Sequence, residues 1–144
     1  MDASLVRQCI LFHGLSEQEA KEVLALGSEV TYHQNDTLAV QDTPADKVFA
    51  ILEGMVEITL SARDGKRTLL YLGPGQIVGE LPLVDGGPHS ANARAIYTPT
   101  RALAFERQTL LNFCKSHPHI GYHLMRNIAA DLAFKIRHHN LSAI

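Results

Sequence analysis

The chain has 144 residues, 46% hydrophobic and 19% charged, with a formal net charge of -2. That length fits one domain, 1–144, with a core of its own, and the composition is that of a globular protein in water. The slightly negative balance excludes bulk attraction to nucleic acid or to a membrane surface. No apolar run approaches a membrane span, and the first residues lack the basic-then-apolar pattern of a signal peptide. Cys9 and Cys114 sit in apolar patterns without motif spacing. Buried thiols in a reducing, cytoplasmic setting are therefore expected, not a disulfide.

Residues 1–12 carry Leu5, Cys9 and Phe12 at helical spacing, and Gly14 stops that helix. Ser16, with Glu19 three residues on, is a capping box, flanked by Leu15 and Ala20 at the staple positions. The second helix carries Val23, Leu24 and Leu26 and is expected to end at Gly27, closing an N-terminal helical segment over 1–27. The period then changes to two. Strands are predicted near 28–33, 37–40, 47–53, 55–61, 66–72, 91–96 and 101–106. Asn35-Asp36 marks a turn, Asp64-Gly65 a hairpin and Gly54 a second tight hairpin. The segment 28–107 thus reads as an all-β sandwich or barrel, and up to eight short strands fit a jelly roll. Thr109 is placed to cap a helix over 110–116, and Pro118 opens the longest helical pattern, to about residue 141. Its stripe is Leu124, Ile128, Leu132 and Ile136, with Ile120, Met125 and Ala129 beside it. The predicted fold is mainly β with flanking helices: two short N-terminal helices, a jelly-roll-like β-roll of about eight strands, and a C-terminal segment over 108–144 ending in a long helix.

The stretch 72–95 holds five of the ten glycines and one acid, Glu80, among apolar neighbours. Gly73-Pro74-Gly75 is turn punctuation, and Asp85-Gly86-Gly87-Pro88 must bend sharply. Small side chains at Ser90 and Ala91 leave backbone N–H groups accessible. A tight coil of that kind suits an anion.

L-G-P-G-Q, then G-E-L-P-L from Gly79 and S-A at Ser90-Ala91, resembles the phosphate-binding cassette of cyclic nucleotide-binding domains, here over 77–92. The opening Phe12-His13-Gly14-Leu15-Ser16 and the hairpin around Ile51, Gly54 and Val56 are similar to the same family, so the resemblance covers nearly the whole chain. It implies a non-enzymatic sensor of cyclic AMP, before cyclic GMP, without cofactor or metal. Ligand contacts are implied at Ile77, Val78, Gly79, Glu80, Leu81, His89, Ser90 and Ala91. Glu80 would accept a hydrogen bond from the ribose 2′-hydroxyl, and the N–H groups of Ser90 and Ala91 would face the phosphate. The long helix would lid the pocket, move with occupancy, and form a homodimer seam through Leu124, Ile128, Leu132 and Ile136.

Two positions depart from the family pattern. Val78 stands where Phe is usual, and His89 where the phosphate-pairing Arg is usual. Imidazole is shorter than guanidinium and largely neutral at pH 7, so its pairing with phosphate requires protonation. The departure leaves two alternatives open: a ligand-independent interaction module of the same fold, and a sensor of another small anion. In the family's bacterial regulators a helix-turn-helix domain follows the long helix. No counterpart follows here, and without a recognition helix or basic patch no nucleic-acid binding by this chain is expected. His117, His119, His123, His138 and His139 invite a metal reading, but only His119 and His123 have a ligand-like spacing of four and no third ligand accompanies them. No strand carries the paired histidines of a cupin, and no nucleophile stands in an activating context.

Overall fold

The computed structural model describes residues 7–139. The helix expected over 1–12 falls partly outside them; its described end closes in a 3₁₀ turn, Ile10–Phe12. Helix α1 (Glu17–Leu24) starts with the expected capping box. The Glu19 N–H donates to Ser16 Oγ at 3.1 Å, and the Ser16 N–H donates to Glu19 Oε1 at 2.9 Å. The end of the helix differs from expectation. The chain leaves α1 at Leu24 and is already extended at Gly27. Gly27 is not a helix cap: a Cβ there would lie 2.8 Å from the Phe105 ring, so the missing side chain lets the strand press onto the core.

Eight strands follow: β1 (Gly27–Tyr32), β2 (Thr37–Ala39), β3 (Lys47–Glu53), β4 (Val56–Ala62), β5 (Gly65–Leu72), β6 (Ile77–Val78), β7 (Asn92–Ala95) and β8 (Thr100–Glu106). They form two antiparallel four-stranded sheets, ordered β1-β8-β3-β6 and β2-β7-β4-β5. Strand β6 was not predicted as a strand, because two residues carry no measurable period. The β4–β5 hairpin turns at Arg63-Asp64, with Ala62 opposite Gly65.

Helix α2 (Glu80–Asp85) lies between β6 and β7, and α3 (Arg107–Ser116) and α4 (Pro118–His139) follow β8. Thr109 is not the cap of α3. The helix continues directly from β8, and the Arg107 N–H donates to the Asp46 carbonyl at 2.7 Å. A Cβ on Gly121 would lie 2.7 Å from the Cys114 carbonyl oxygen, so α3 and α4 meet backbone to side-chain-free backbone.

Three layers result. Strand β3 has the burial sequence exposed, five buried, exposed, because both its faces are covered. Val48, Ala50 and Leu52 face the helices, while Phe49 and Ile51 face the other sheet. Strand β8 divides likewise, with Leu103 and Phe105 toward the helices and the small Ala102 and Ala104 inside the sandwich. Cys9 is fully buried, which pushes its thiol up to about 11, and Cys114 is half-buried; the two do not form a disulfide.

Helix α4 is fixed by apolar contacts and by two buried polar anchors. Leu124 and Ile128 lie in the protomer's own core, at 0% and 1% exposure. This corrects their expected place in a dimer seam: side chains committed to the core are not offered to a second copy. Asn127 donates to the carbonyls of Leu11 and His13, both at 2.8 Å, and so ties α4 to the N-terminal segment. Two turns further on, the buried Lys135 Nζ donates to Glu80 Oε1 and to the Ile77 carbonyl, each at 2.7 Å. Asp131 Oδ2 also lies 2.7 Å from that ammonium, but out of line for a hydrogen bond.

One ammonium therefore serves two buried carboxylates. Burial raises the pKa of Asp131, Lys135 opposes this, and Glu80 adds to it; the net direction is upward. An acid whose pKa rises on folding contributes stability below its unfolded value and loses it as pH rises through the folded value. Asp131→Asn should therefore raise the urea midpoint of unfolding at pH 7, with a gain that shrinks as pH falls through the carboxylate range. Denaturation series across that range check this. A loss of more than about 1 kcal/mol at pH 7 would mean that attraction to Lys135 outweighs desolvation, as it does in well-paired buried ions.

Candidate functional site

A cavity of about 560 Å³ opens between the second sheet, the 77–92 segment and the C-terminal half of α4. Its floor is apolar: Ala39, Ile58, Leu60, Leu70, Leu72 and Ala93 come from the sheet. Its rim is the segment that the sequence singles out. Val78, Gly79, Glu80, Leu81, His89, Ser90 and Ala91 all line it. Ile77 does not. Its side chain is fully buried in the core beneath the helices, and its carbonyl is what receives Lys135. Strand alternation accounts for this, since neighbours on β6 face opposite sides.

Local geometry follows from residue type. Gly79 sits at φ 88°, the left-handed region, immediately before α2. A Cβ there would be 3.2 Å from the Lys47 carbonyl oxygen, so the turn that aims Glu80 is open to glycine and strained for other residues. Glu80 itself is 7% exposed. Most carboxylates are not buried so deeply without a partner, and Lys135 is that partner. Ser90 is exposed at the rim and Ala91 half-buried, both free of bulk above their backbone.

His89 is not a surface loop residue. It is 8% exposed, and its loop is held by its N–H donating to the Thr43 carbonyl at 3.0 Å and its carbonyl accepting from Asp42 at 2.8 Å. Burial lowers the imidazole pKa, and Asp46 opposes that without reversing it. Neutral imidazole is the favoured form in this fold at neutral pH.

Two of the expected seam residues, Leu132 and Ile136, line the cavity from α4. Leu132 is half-buried and Ile136 is 51% exposed. Sequence reading missed Lys135 and Asp131, and also Arg67 and Thr68, which line the cavity from β5. The available signal was that Asp131 and Lys135 are four apart and continue the face of Leu124 and Ile128. Charges on an apolar stripe ask for buried partners. Among the described residues there is no cluster of three or more His, Cys, Asp or Glu fit for a metal, and no helix long and apolar enough to cross a membrane. His119 instead pairs with Glu19 at 3.3 Å and stands edge-on to His123.

Comparison with known proteins agrees with this geometry. Residues 29–117 match the family described as the cyclic nucleotide-binding domain. Over 133 residues the chain is 31% identical to a CRP-like cAMP-activated global transcriptional regulator of Mycobacterium tuberculosis, covering 92% of this chain and 58% of that protein. It is 32% identical over 132 residues to the cyclic AMP receptor protein of Thermus thermophilus, covering 91% and 59%. The chain thus spans about three-fifths of the length of these relatives. Among solved structures, the N-terminal domain of a transcriptional regulator from Streptomyces coelicolor superimposes with a TM-score of 0.77 at 31% identity, covering 90% of each chain. The Thermus thermophilus catabolite activator protein gives 0.78 at 31% identity, over 93% of this chain and 61% of that one. With a family match across the β-roll and the cassette residues gathered on one cavity, the chain belongs to the cyclic nucleotide-binding domain family.

Proposed function

We propose that this chain is a non-enzymatic sensor domain that binds a cyclic nucleotide, cyclic AMP in preference to cyclic GMP, and reports occupancy through α4. The observation that carries the reading is Glu80: a buried carboxylate on the cavity rim, oriented by a hydrogen bond from a lysine of the long helix. The same carboxylate is the group available to a ribose hydroxyl. The apolar floor suits a purine, and the N–H groups at Ser90 and Ala91 suit the cyclic phosphate. The preference for cyclic AMP is supported by the relatives named for it. A cytoplasmic setting is consistent with Cys9 and Cys114 not forming a disulfide. The departure at His89 favours one competing reading, a domain that keeps the fold and has lost the ligand, and a titration separates the two.

Coupling follows from shared use of Glu80. A ribose hydroxyl that hydrogen-bonds this carboxylate alters the contact that holds Lys135. Leu132, Lys135 and Ile136 are cavity walls carried by one helix, so a ligand touches the helix directly.

Glu80→Gln should leave the fold intact and weaken cyclic AMP binding by about one to two decades, the equivalent of a charged hydrogen bond worth about 1.5–3 kcal/mol. Calorimetric titration of both proteins checks this. Equal dissociation constants would remove Glu80 from the site, and no binding by the wild type would favour the ligand-free module.

The outward face of α4 carries Tyr122, Ala129, Ala133 and Ile136, all exposed. We expect this face, rather than Leu124 and Ile128, to form the homodimer contact, since it offers apolar area with small residues for close helix approach. Sedimentation velocity at micromolar concentration should show a dimer that Ala133→Glu dissociates. A wild-type monomer with cyclic AMP at saturation, or a dimer indifferent to the substitution, would count against it.

A further inference from the structure

We propose that Arg67 supplies the permanent positive charge that the cassette lacks at position 89, reaching across Leu60 to the ligand phosphate held at Ser90 and Ala91. The inference rests on the cyclic nucleotide reading and adds a binding residue to it. A cyclic phosphate carries one negative charge into a cavity with an apolar floor, and a charge so placed needs a partner. The ionisable groups lining the cavity are Glu80, His89, Lys135 and Arg67. Lys135 is committed to Glu80 and Asp131. His89 is buried, with its pKa lowered, and Asp46 is the acid acting on it. Arg67 is exposed, its side chain has no ion pair or hydrogen bond among the described residues, and a guanidinium stays charged at every relevant pH.

Strand register puts Arg67 in the right row. Leu60 on β4 is opposite Arg67 on β5. Thr59 is opposite Asn92 on β7, so one step further the antiparallel ladder brings Ala91 opposite Leu60. Ala91, Leu60 and Arg67 thus form one row across the sheet, and all three line the cavity. The next row of the same face, Ala93, Ile58 and Leu70, lines it as well; β4 and the 91–93 segment keep the two-residue period of a shared face, and β5 carries one extra residue at the bulge opposite Ile58 and Thr59. Two strand spacings separate Arg67 from Ala91, about 10 Å between backbones. An arginine side chain, built of bonds of about 1.5 Å, covers more than half of that span, and the phosphate occupies part of the remainder. The planar fork can then hold two phosphate oxygens.

The test is calorimetric titration of cyclic AMP, at pH 6 and at pH 8, with wild type, Arg67→Ala, Arg67→Lys and His89→Ala. Adenosine serves as the uncharged control, and circular dichroism checks folding. Wild-type affinity should differ less than about threefold between the two pH values, because its cation does not titrate. Arg67→Ala should lose about tenfold or more at pH 8 and recover part of it at pH 6, where His89 becomes the remaining source of charge. Arg67→Lys should retain much of the affinity, and adenosine binding should be unchanged by any substitution at Arg67. Wild-type binding matched by Arg67→Ala at both pH values overturns the assignment while leaving the binding reading intact. So does a wild-type affinity that climbs about tenfold toward pH 6 and is abolished by His89→Ala. Wild type that binds no cyclic AMP at either pH overturns the binding reading, and this assignment with it.

Discussion

A buried ammonium has to be met by charge and by hydrogen-bond acceptors, and the Lys135 ammonium is met by Glu80, Asp131 and the Ile77 carbonyl. Two carboxylates share that one ammonium, so the attraction and the desolvation of the buried charges largely offset each other. The cluster is therefore a specific lock more than a source of net stability. It joins the adjoining β6 and first turn of α2 to the last third of α4, 55 residues further along the chain from Glu80. This contact fixes the cavity half of α4 against the rim, as Leu124, Asn127 and Ile128 fix its other half, and it orients the carboxylate that the Gly79 turn aims.

The layered architecture makes this contact consequential. The first sheet is covered on both faces, by the helices on one side and by the second sheet on the other. Helix α4 runs along that assembly and changes role along its length. Around Leu124, Asn127 and Ile128 it is a core element with fixed partners. Around Leu132, Lys135 and Ile136 it is a wall of the cavity. A helix anchored at one end and bordering the cavity at the other has the geometry of a lever. The half that borders the site is held by ionic contacts that a polar ligand can compete for.

Much of this was legible from local chemistry. The capping box at Ser16 and Glu19, the hairpin at residues 63–65 and the continuous apolar run of β3 each state their structure in a few residues. The cassette was legible for the same reason, since Gly79 and the 85–88 bend impose backbone geometry directly, and its rim residues do gather on one cavity. What the sequence concealed depends on distant partners. The stripe from Leu124 to Ile136 has a single period, but its faces are assigned by what covers them; thus Leu124 and Ile128 went to the core and Leu132 and Ile136 to the cavity. Gly27 reads as a helix stop until Phe105 is placed against it. Lys135 reads as a solvated charge until Glu80, 55 residues earlier, arrives beside it. Arg67 acquires meaning only from the register that aligns three strands.

The central claim is that cavity occupancy is felt by the far half of α4 through the Glu80–Lys135 contact. Amide hydrogen exchange along α4, with and without saturating cyclic AMP, tests it most directly. The account predicts altered protection over 131–138 with little change over 120–128, where Leu124, Asn127 and Ile128 hold the helix to the core. Saturated binding that leaves exchange unaltered along the whole of α4 would contradict it.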